Sequence, residues 1–375
     1  MVHGAGGTLL EHLKELRLHS GLGPADALLF QTNCAWMMWH WMVSGLAVGA
    51  EIVLFDGSVS YPTPDRLLRT ADALGVTHLG SNPTYLQFLR DTGSTPSGDL
   101  AFRRLRAVLS TGSVLPDQLY DWVNTTIAHV PLQSISGGTD IIGCFVLGNP
   151  LLPVFRGESQ CISLGLDVQA MTDEGPRRTG RGELVCAAPF PSRPLYFIGD
   201  TDNHRYHEAY FAQHAGLWTH GDLVELTERG TARVLGRSDG TLNVRGVRIG
   251  PAEIHSVVLG LPEVAHALAV EQQWPQEPGG SRIALLLVLK DGVLLDRPLT
   301  LRLKRELATR ASANHVPGLV VQVPELPMTF SGKVSARAAR DALNGVTVVN
   351  RAALRNPTVL EHLAGFAPTP GRPAA

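Results

Sequence analysis

Hydrophobic positions in the first 150 residues fall into short runs separated by helical stripes. The run 52–55 reads as a strand. Thr63 and Pro64 then offer a cap and a first-turn proline, and Leu67, Leu68, Ala71 and Leu74 follow at helical spacing until Gly75. Residues 76–79 read as the next strand, 83–90 as a helix, 105–109 as a strand and 116–128 as a helix. This alternation predicts a parallel sheet covered on both faces, with ligands at the carboxyl ends of its strands. Ahead of it, a polar, Gly-rich opening leads into an amphipathic helix pattern. From about 150 to 236 the pattern changes to short β runs with turns, such as 182–186 and 195–198, which predicts a β-rich subdomain. A third unit follows "GRSDG" (236–240). It reads as a helix near 252–259, strands 265–270 and 283–289, and a helix with Leu299, Leu303 and Leu307 on one stripe. A strand 319–323, the loop "ELPMTFSGK" (325–333) and a last helix 335–343 complete it. The tail after Pro368 is rich in Pro, Ala and Gly and is expected to fray.

The stretch between Asp26 and Glu51 carries no Asp, Glu, Lys or Arg and is long enough to cross a bilayer. Gln31, Thr32, Asn33, His40 and Ser44 interrupt it, and neither aromatic girdles nor a basic loop flank it. A helix buried in a large core is therefore expected, and no membrane partner. Composition narrows the class further. Of 375 residues, 44% are hydrophobic and 18% charged, with 39 Gly and 25 Pro, which excludes a disordered chain or a coiled coil and suits a turn-rich α/β enzyme. A net charge of -2 leaves no electrostatic footprint for nucleic acid. Cys34, Cys144, Cys161 and Cys186 form no CxxC pair, so neither structural zinc nor a disulfide scaffold is expected. With no secretory leader read at the start, a cytoplasmic location is expected.

Four short segments carry chemistry. "SGGTD" (136–140) offers backbone N–H groups and a hydroxyl to a phosphate, and Asp140 could hold Mg²⁺. In "WTHGDLVEL" (218–226), Asp222 could accept two hydrogen bonds from a ribose diol. "GRSDGTLNVRGVRIGPAEI" (236–254) sets Arg237, Arg245 and Arg248 among small residues, and the guanidinium fork suits phosphate or carboxylate. "PMTFSGK" places Lys333 on a Gly-flanked loop in a chain whose only other lysines are Lys14, Lys290 and Lys304. Each segment alone also occurs in ordinary turns and solvated faces. Their combination and order say more.

In that order and spacing the segments resemble the adenylate-forming superfamily of acyl-CoA synthetases, adenylation domains and luciferases. Within it the chain looks most like the acetoacetyl-CoA synthetases. That resemblance rests on "GTLLEHLKE" (7–15), "AWMMWHWMVSGLAVGAEIVLFDGS" (35–58), "SISGGTDI" (134–141), "GELVCAAPFPSRPLYFIGD" (182–200) and "NRAALRNPTVLEHL" (350–363). It implies a partial adenylate-forming fold: an AMP-binding domain over 1–237, parallel α/β to 150 and β-rich from 151. A hinge at 238–239, a mobile α+β domain at 240–345 and an extension at 346–375 would follow. It implies an acid–thiol ligase that uses ATP, Mg²⁺ and coenzyme A to activate acetoacetate. Lys333 would bridge the attacking carboxylate and the α-phosphate, Thr139 would touch phosphate and Asp140 would bind Mg²⁺. Gly112 and Ser113 would lie along the adenine, Asp222 and Arg237 would hold the ribose, and Arg248 would reach the phosphates. Asp239 would be the pivot, and Gly246 would face inward for the coenzyme A step. Trp36, Met37, Met38 and Trp39 would line the acyl pocket. His40, His220 and the other histidines are expected to pack or sit at the surface.

The chain departs from the family pattern in one respect. The family's Ser/Thr/Gly-rich loop of the form YSSGTTGxPK, expected just before the segment matching 1–7, does not occur in it. Poor stand-alone turnover is expected, along with an exposed sheet edge and apolar face where a preceding subdomain would pack. A second chain supplying that half is one expectation. An acetyl- or propionyl-CoA synthetase-like ligase and a non-catalytic nucleotide-binding remnant are the alternatives.

Overall fold

The computed structural model describes residues 1–368 except 99, 239–241, 245–246, 275–279, 331 and 350. The chain divides into two compact units, Met1–Val234 and Leu235–Ala375.

In unit 1, helix α1 (Ala5–Lys14) continues as a π-helical turn over Glu15–His19. Five strands follow, β1 (Ala27–Phe30), β2 (Glu51–Val53), β3 (His78–Ser81), β4 (Ala107–Ser110) and β5 (Leu132–Ser134), all pairing in parallel in the order β2-β1-β3-β4-β5. Between them run α2 (Met37–Val43), α3 (Arg66–Ala73), α4 (Pro83–Asp91) and α5 (Asp117–Trp122). Local chemistry starts α4: the Tyr85 N–H donates to the Asn82 side chain at 2.8 Å, and Pro83 occupies the first turn, where an N–H has no partner to lose. One face of the sheet packs Leu67, Leu68, Leu86, Leu89 and Leu119 from α3, α4 and α5, with Val123 just beyond α5. The other packs Leu16, Met38, Trp41 and Met42 against Leu28, Phe30 and Leu109.

The uncharged stretch does not form one helix. It divides into β1, whose four residues are all buried, then α2, then a 3₁₀ segment Ser44–Val48. Leu28, Leu29 and Phe30 are buried against both layers, so the run lacks the alternation that would mark it as a strand. Among the described residues no helix is long and apolar enough to cross a membrane.

The β-rich part follows: β6 (Ser136–Gly138), β7 (Gly143–Leu147), β8 (Cys161–Ile162), β9 (Val168–Thr172), β10 (Gly175–Arg177), β11 (Gly180–Cys186), helix α6 (His204–Tyr210), β12 (Trp218–Leu226) and β13 (Ala232–Arg237). Strands β9 to β13 make a second sheet in the order β10-β9-β11-β12-β13. The run 195–198, expected to be a strand, is not one. Tyr196 makes a single bridge to Val2, while Leu195 and Ile198 are exposed. An apolar run without a neighbouring strand to pair with has no ladder to join.

Unit 2 contains β14 (Leu242–Val244), β15 (Val247–Ile249), α7 (Pro251–Val258), β16 (Val264–Gln273), β17 (Ser281–Leu289), α8 (Arg297–Arg310), β18 (Leu319–Gln322), α9 (Ala336–Leu343) and α10 (Val359–Ala364). Strands β16, β17 and β18 form its sheet, with β17 and β18 parallel. Leu299, Leu303 and Leu307 of α8 bury on one face; Ala339 and Leu343 of α9 and Leu360 and Leu363 of α10 bury on the other. Asp296 caps α8 by accepting from the Leu299 N–H at 2.8 Å.

Candidate functional site

Two loops leave neighbouring strands of the parallel sheet at their carboxyl ends. After β4 the chain reaches Gly112 at φ 102°, a conformation that favours glycine. A Cβ there would lie 3.3 Å from the Trp36 ring, so the indole rests against bare backbone. Ser113 follows, exposed. After β5 the chain turns into the hairpin β6–β7, whose tip is Thr139, Asp140, Ile141 and Ile142. The hairpin is tight enough to require glycine: a Cβ on Gly137 would meet the Gly143 carbonyl oxygen of the facing strand at 1.9 Å.

The tip is held from three directions. The His12 Nε2 donates to the Ile142 carbonyl at 2.6 Å, fixing a β-branched residue at φ 42° that would be strained if left free. His12 is fully buried, and burial lowers its pKa to about 4. The His3 Nε2 lies 3.1 Å from the Thr139 carbonyl. The Tyr210 hydroxyl donates to Oδ1 of Asp140 at 2.5 Å.

Beneath the hairpin lies a buried polar network. Glu15 accepts from the Cys144 N–H at 2.6 Å and from the Trp41 indole N–H at 2.8 Å, and the Lys14 ammonium donates to Glu11 at 2.5 Å. Burial, reinforced by the Glu11 charge, pushes the Glu15 carboxyl up to about 8, so a proton stays on the pair at neutral pH.

Strand β12 forms the facing wall. Asp222 and His220 are both buried, with His220 Nε2 3.7 Å from Asp222 Oδ2 and the imidazole 4.6 Å from the Phe145 ring. A Cβ on Gly138 would stand 3.5 Å from His220 Nε2 and 3.7 Å from Asp140 Oδ2. Asp140, Gly138, His220 and Asp222 therefore line one continuous surface within unit 1. It brings two carboxylates beside glycine backbone, a set suited to a ligand with hydroxyls and a bound cation.

The other candidates are placed less tightly. Trp36 and Trp39 are half-buried, whereas Met37 and Met38 belong to the core with Phe30 and Trp41. His40 is exposed. In unit 2, Arg237 ends β13 exposed, and Lys333 is exposed in a turn closed by the Thr329 N–H donating to the Lys333 carbonyl at 2.9 Å. Arg248 lies on β15, where its backbone pairs with Asn243. Its side chain, together with Asp239, Arg245 and Gly246, lies outside the described residues. Tyr210 and His12 were not singled out from the sequence. Tyr210 meets Asp140 across 70 residues, a separation that no spacing rule connects.

Comparison with known proteins decides the family. A model described as AMP-binding enzyme matches residues 3–189. Acetoacetyl-coenzyme A synthetase of Rhizobium meliloti (strain 1021) is 45% identical over 368 residues, which is 98% of this chain and 56% of that protein. Residues 3–189 thus belong to the AMP-binding enzyme family. Acetoacetyl-CoA synthetase of Mus musculus is 42% identical over 364 residues, 96% of this chain and 54% of that protein. The solved acetoacetyl-CoA synthetase from Streptomyces lividans superposes with a TM-score of 0.89 at 38% identity, over 97% of this chain and 56% of that one. The mixed α/β architecture is thus the adenylate-forming fold, and the chain spans about half the length of the relatives it matches.

Proposed function

We propose that the chain forms the adenylate-handling part of an ATP-dependent acid–thiol ligase acting on acetoacetate. One acetoacetate oxygen attacks the α-phosphorus of ATP, and the bond to pyrophosphate breaks. The coenzyme A thiolate then attacks the acyl carbon, and AMP leaves. The observation that carries this reading is the surface joining Asp140, Gly138, His220 and Asp222, in a chain about 40–45% identical to acetoacetyl-CoA synthetases across nearly its whole length.

On this reading Asp222 accepts from the ribose hydroxyls and Arg237 supports the ribose. Gly112 and Ser113 border the adenine, and Thr139 contacts phosphate. Lys333 and Arg248 supply cations where charge spreads in the displacement, which is the main help such chemistry takes from protein. Trp36, Met37, Met38 and Trp39 bound the acyl side, Asp239 would serve as the pivot, and Gly246 would serve the thiol step. The fold would then divide as an AMP-binding domain to 237, a hinge at 238–239, a mobile domain over 240–345 and an extension from 346.

Mg²⁺ fits this site as a nucleotide-borne ion. Asp140 keeps Oδ2 clear of hydrogen bonds among the described residues, which also contain no group of three His, Cys, Asp or Glu able to hold a metal alone. Mg²⁺ commonly takes one or two carboxylates plus substrate phosphates, and its charge would offset that of the phosphates. The 375 residues contain no YSSGTTGxPK-like loop to cradle the β- and γ-phosphates.

Thermal unfolding with an acetoacetyl-AMP analogue, an acetyl-AMP analogue and AMP tests the reading, because a ligand of the native state must raise its stability. The acetoacetyl compound should give the largest shift. A larger shift with the acetyl compound would move the assignment to an acetate or propionate ligase, and a response to AMP alone would favour a binding remnant.

A further inference from the structure

We propose that Tyr210 is a positioning residue for Asp140, presenting one oxygen of that carboxylate to a nucleotide-borne Mg²⁺. The proposal rests on the nucleotide reading given above and adds to it a residue outside the sequence motifs. The phenol is placed with little freedom. It is nearly buried, and its ring stacks on Trp218 with centroids 3.8 Å apart and planes 15° from parallel. Edge contacts with Tyr206 at 5.3 Å and Phe197 at 5.8 Å close two further sides. The hydroxyl therefore emerges at one defined point and meets Oδ1 of Asp140 at 2.5 Å.

Asp140 needs such a support. It sits half-buried on the hairpin tip between exposed Thr139 and buried Ile141, and a carboxylate torsion is soft. With Oδ1 engaged by Tyr210, the torsion is set and Oδ2 is turned toward the Gly138 side, where His220 and Asp222 lie. A phenol suits the task better than a cation would. It orients the carboxylate by donating a hydrogen bond without adding a positive charge that would compete with a metal. The anchor also carries registry: Trp218 opens β12, and Asp222 lies four residues further along the same strand. Tyr210 thereby couples the placement of Asp140, after β5, to that of Asp222 on β12.

Tyr210→Phe keeps every ring contact and removes only the hydroxyl. Titrations of the full chain with ATP in excess Mg²⁺, ATP in EDTA, and AMP in EDTA give three affinities for each protein. In the parent chain Mg²⁺ should tighten ATP binding. Tyr210→Phe should reduce that Mg²⁺-dependent gain about tenfold, the usual scale for removing a partner of a metal ligand, and leave metal-free AMP affinity unchanged. In an Asp140→Asn background the same change should have no further effect. A gain that survives in Tyr210→Phe overturns the positioning role and leaves the nucleotide reading standing. Equal losses in all three affinities, together with a lowered melting temperature, would make Tyr210 merely structural and overturn it as well. A parent chain that binds no nucleotide removes the nucleotide reading and this proposal together.

Discussion

Helices α1 and α8 carry comparable leucine stripes and use them in opposite ways. In α8, Leu299, Leu303 and Leu307 point into the core of unit 2, as a 3.6-residue period implies. In α1 and its π-helical continuation a polar side is inside, with Leu16 the one fully buried leucine beside it. Glu11, His12, Glu15 and His19 are buried, while Leu9, Leu10 and Leu18 are 44%, 57% and 55% exposed. Periodicity establishes that a helix exists. The buried face of this segment is chosen by polar groups on the other side of the interface: the Ile142 carbonyl, paired with His12 of α1, and the Trp41 indole and Cys144 N–H, paired with Glu15 of its π-helical continuation. A helix that supports a strained hairpin tip needs hydrogen bonds there more than it needs leucines.

The contrast can be tested by substitution. Leu303→Ala should destabilise the chain most, by about 3–4 kcal/mol in denaturant titration, because it opens a cavity in a closed core. Glu15→Ala should cost about 2 kcal/mol by leaving the Trp41 and Cys144 donors without their acceptor. It should also loosen the hairpin, detectable as faster amide exchange over residues 137–144. Leu10→Ala should change stability by less than about 0.5 kcal/mol, as expected for a surface position. If Leu10→Ala cost as much as Leu303→Ala, the assignment of an inverted face to α1 would be wrong.

The two kinds of buried group also predict a pH profile. His12 and His255 are lowered by burial from 6.5 to about 4, so between those values the unfolded chain binds protons that the folded chain refuses. Their effect makes stability rise with pH up to about 6.5. Glu15 is raised from 4.5 to about 8, so here the folded state holds the proton; its contribution is full below pH 4.5 and is lost as pH rises through about 8. Stability measured from pH 4 to 9 should therefore climb and then fall. Glu15→Gln should keep the climb and flatten the fall, and an unchanged fall would contradict the account.

Much of the architecture could be read from residue order. The stripes of α3, α4, α8 and α9 and the apolar runs of β3, β4, β17 and β18 were legible, because each pairs a clean period with a proline, glycine or cap. Strand β1 was hidden in an uncharged stretch, since a strand buried on both faces has no alternation to show. The run 195–198 has strand composition without a neighbour to pair with. At the site, Thr139 and Asp140 could be read because Gly-rich loops after parallel strands mark one edge of the sheet, and Asp222 because of its segment WTHGDLVEL, which lies on an antiparallel strand. Tyr210 and His12 could not, since long-range hydrogen bonds to a carboxylate or a carbonyl leave no local pattern.

The proposed function requires Asp222, Gly138, Asp140 and Gly112 to border one mononucleotide site. Calorimetric titration of AMP into the chain and into Asp222→Ala tests it most directly. The account predicts saturable binding of one AMP, weakened at least about tenfold by the substitution, as expected for hydrogen bonds to a charged acceptor. Binding unaffected by Asp222→Ala would contradict it.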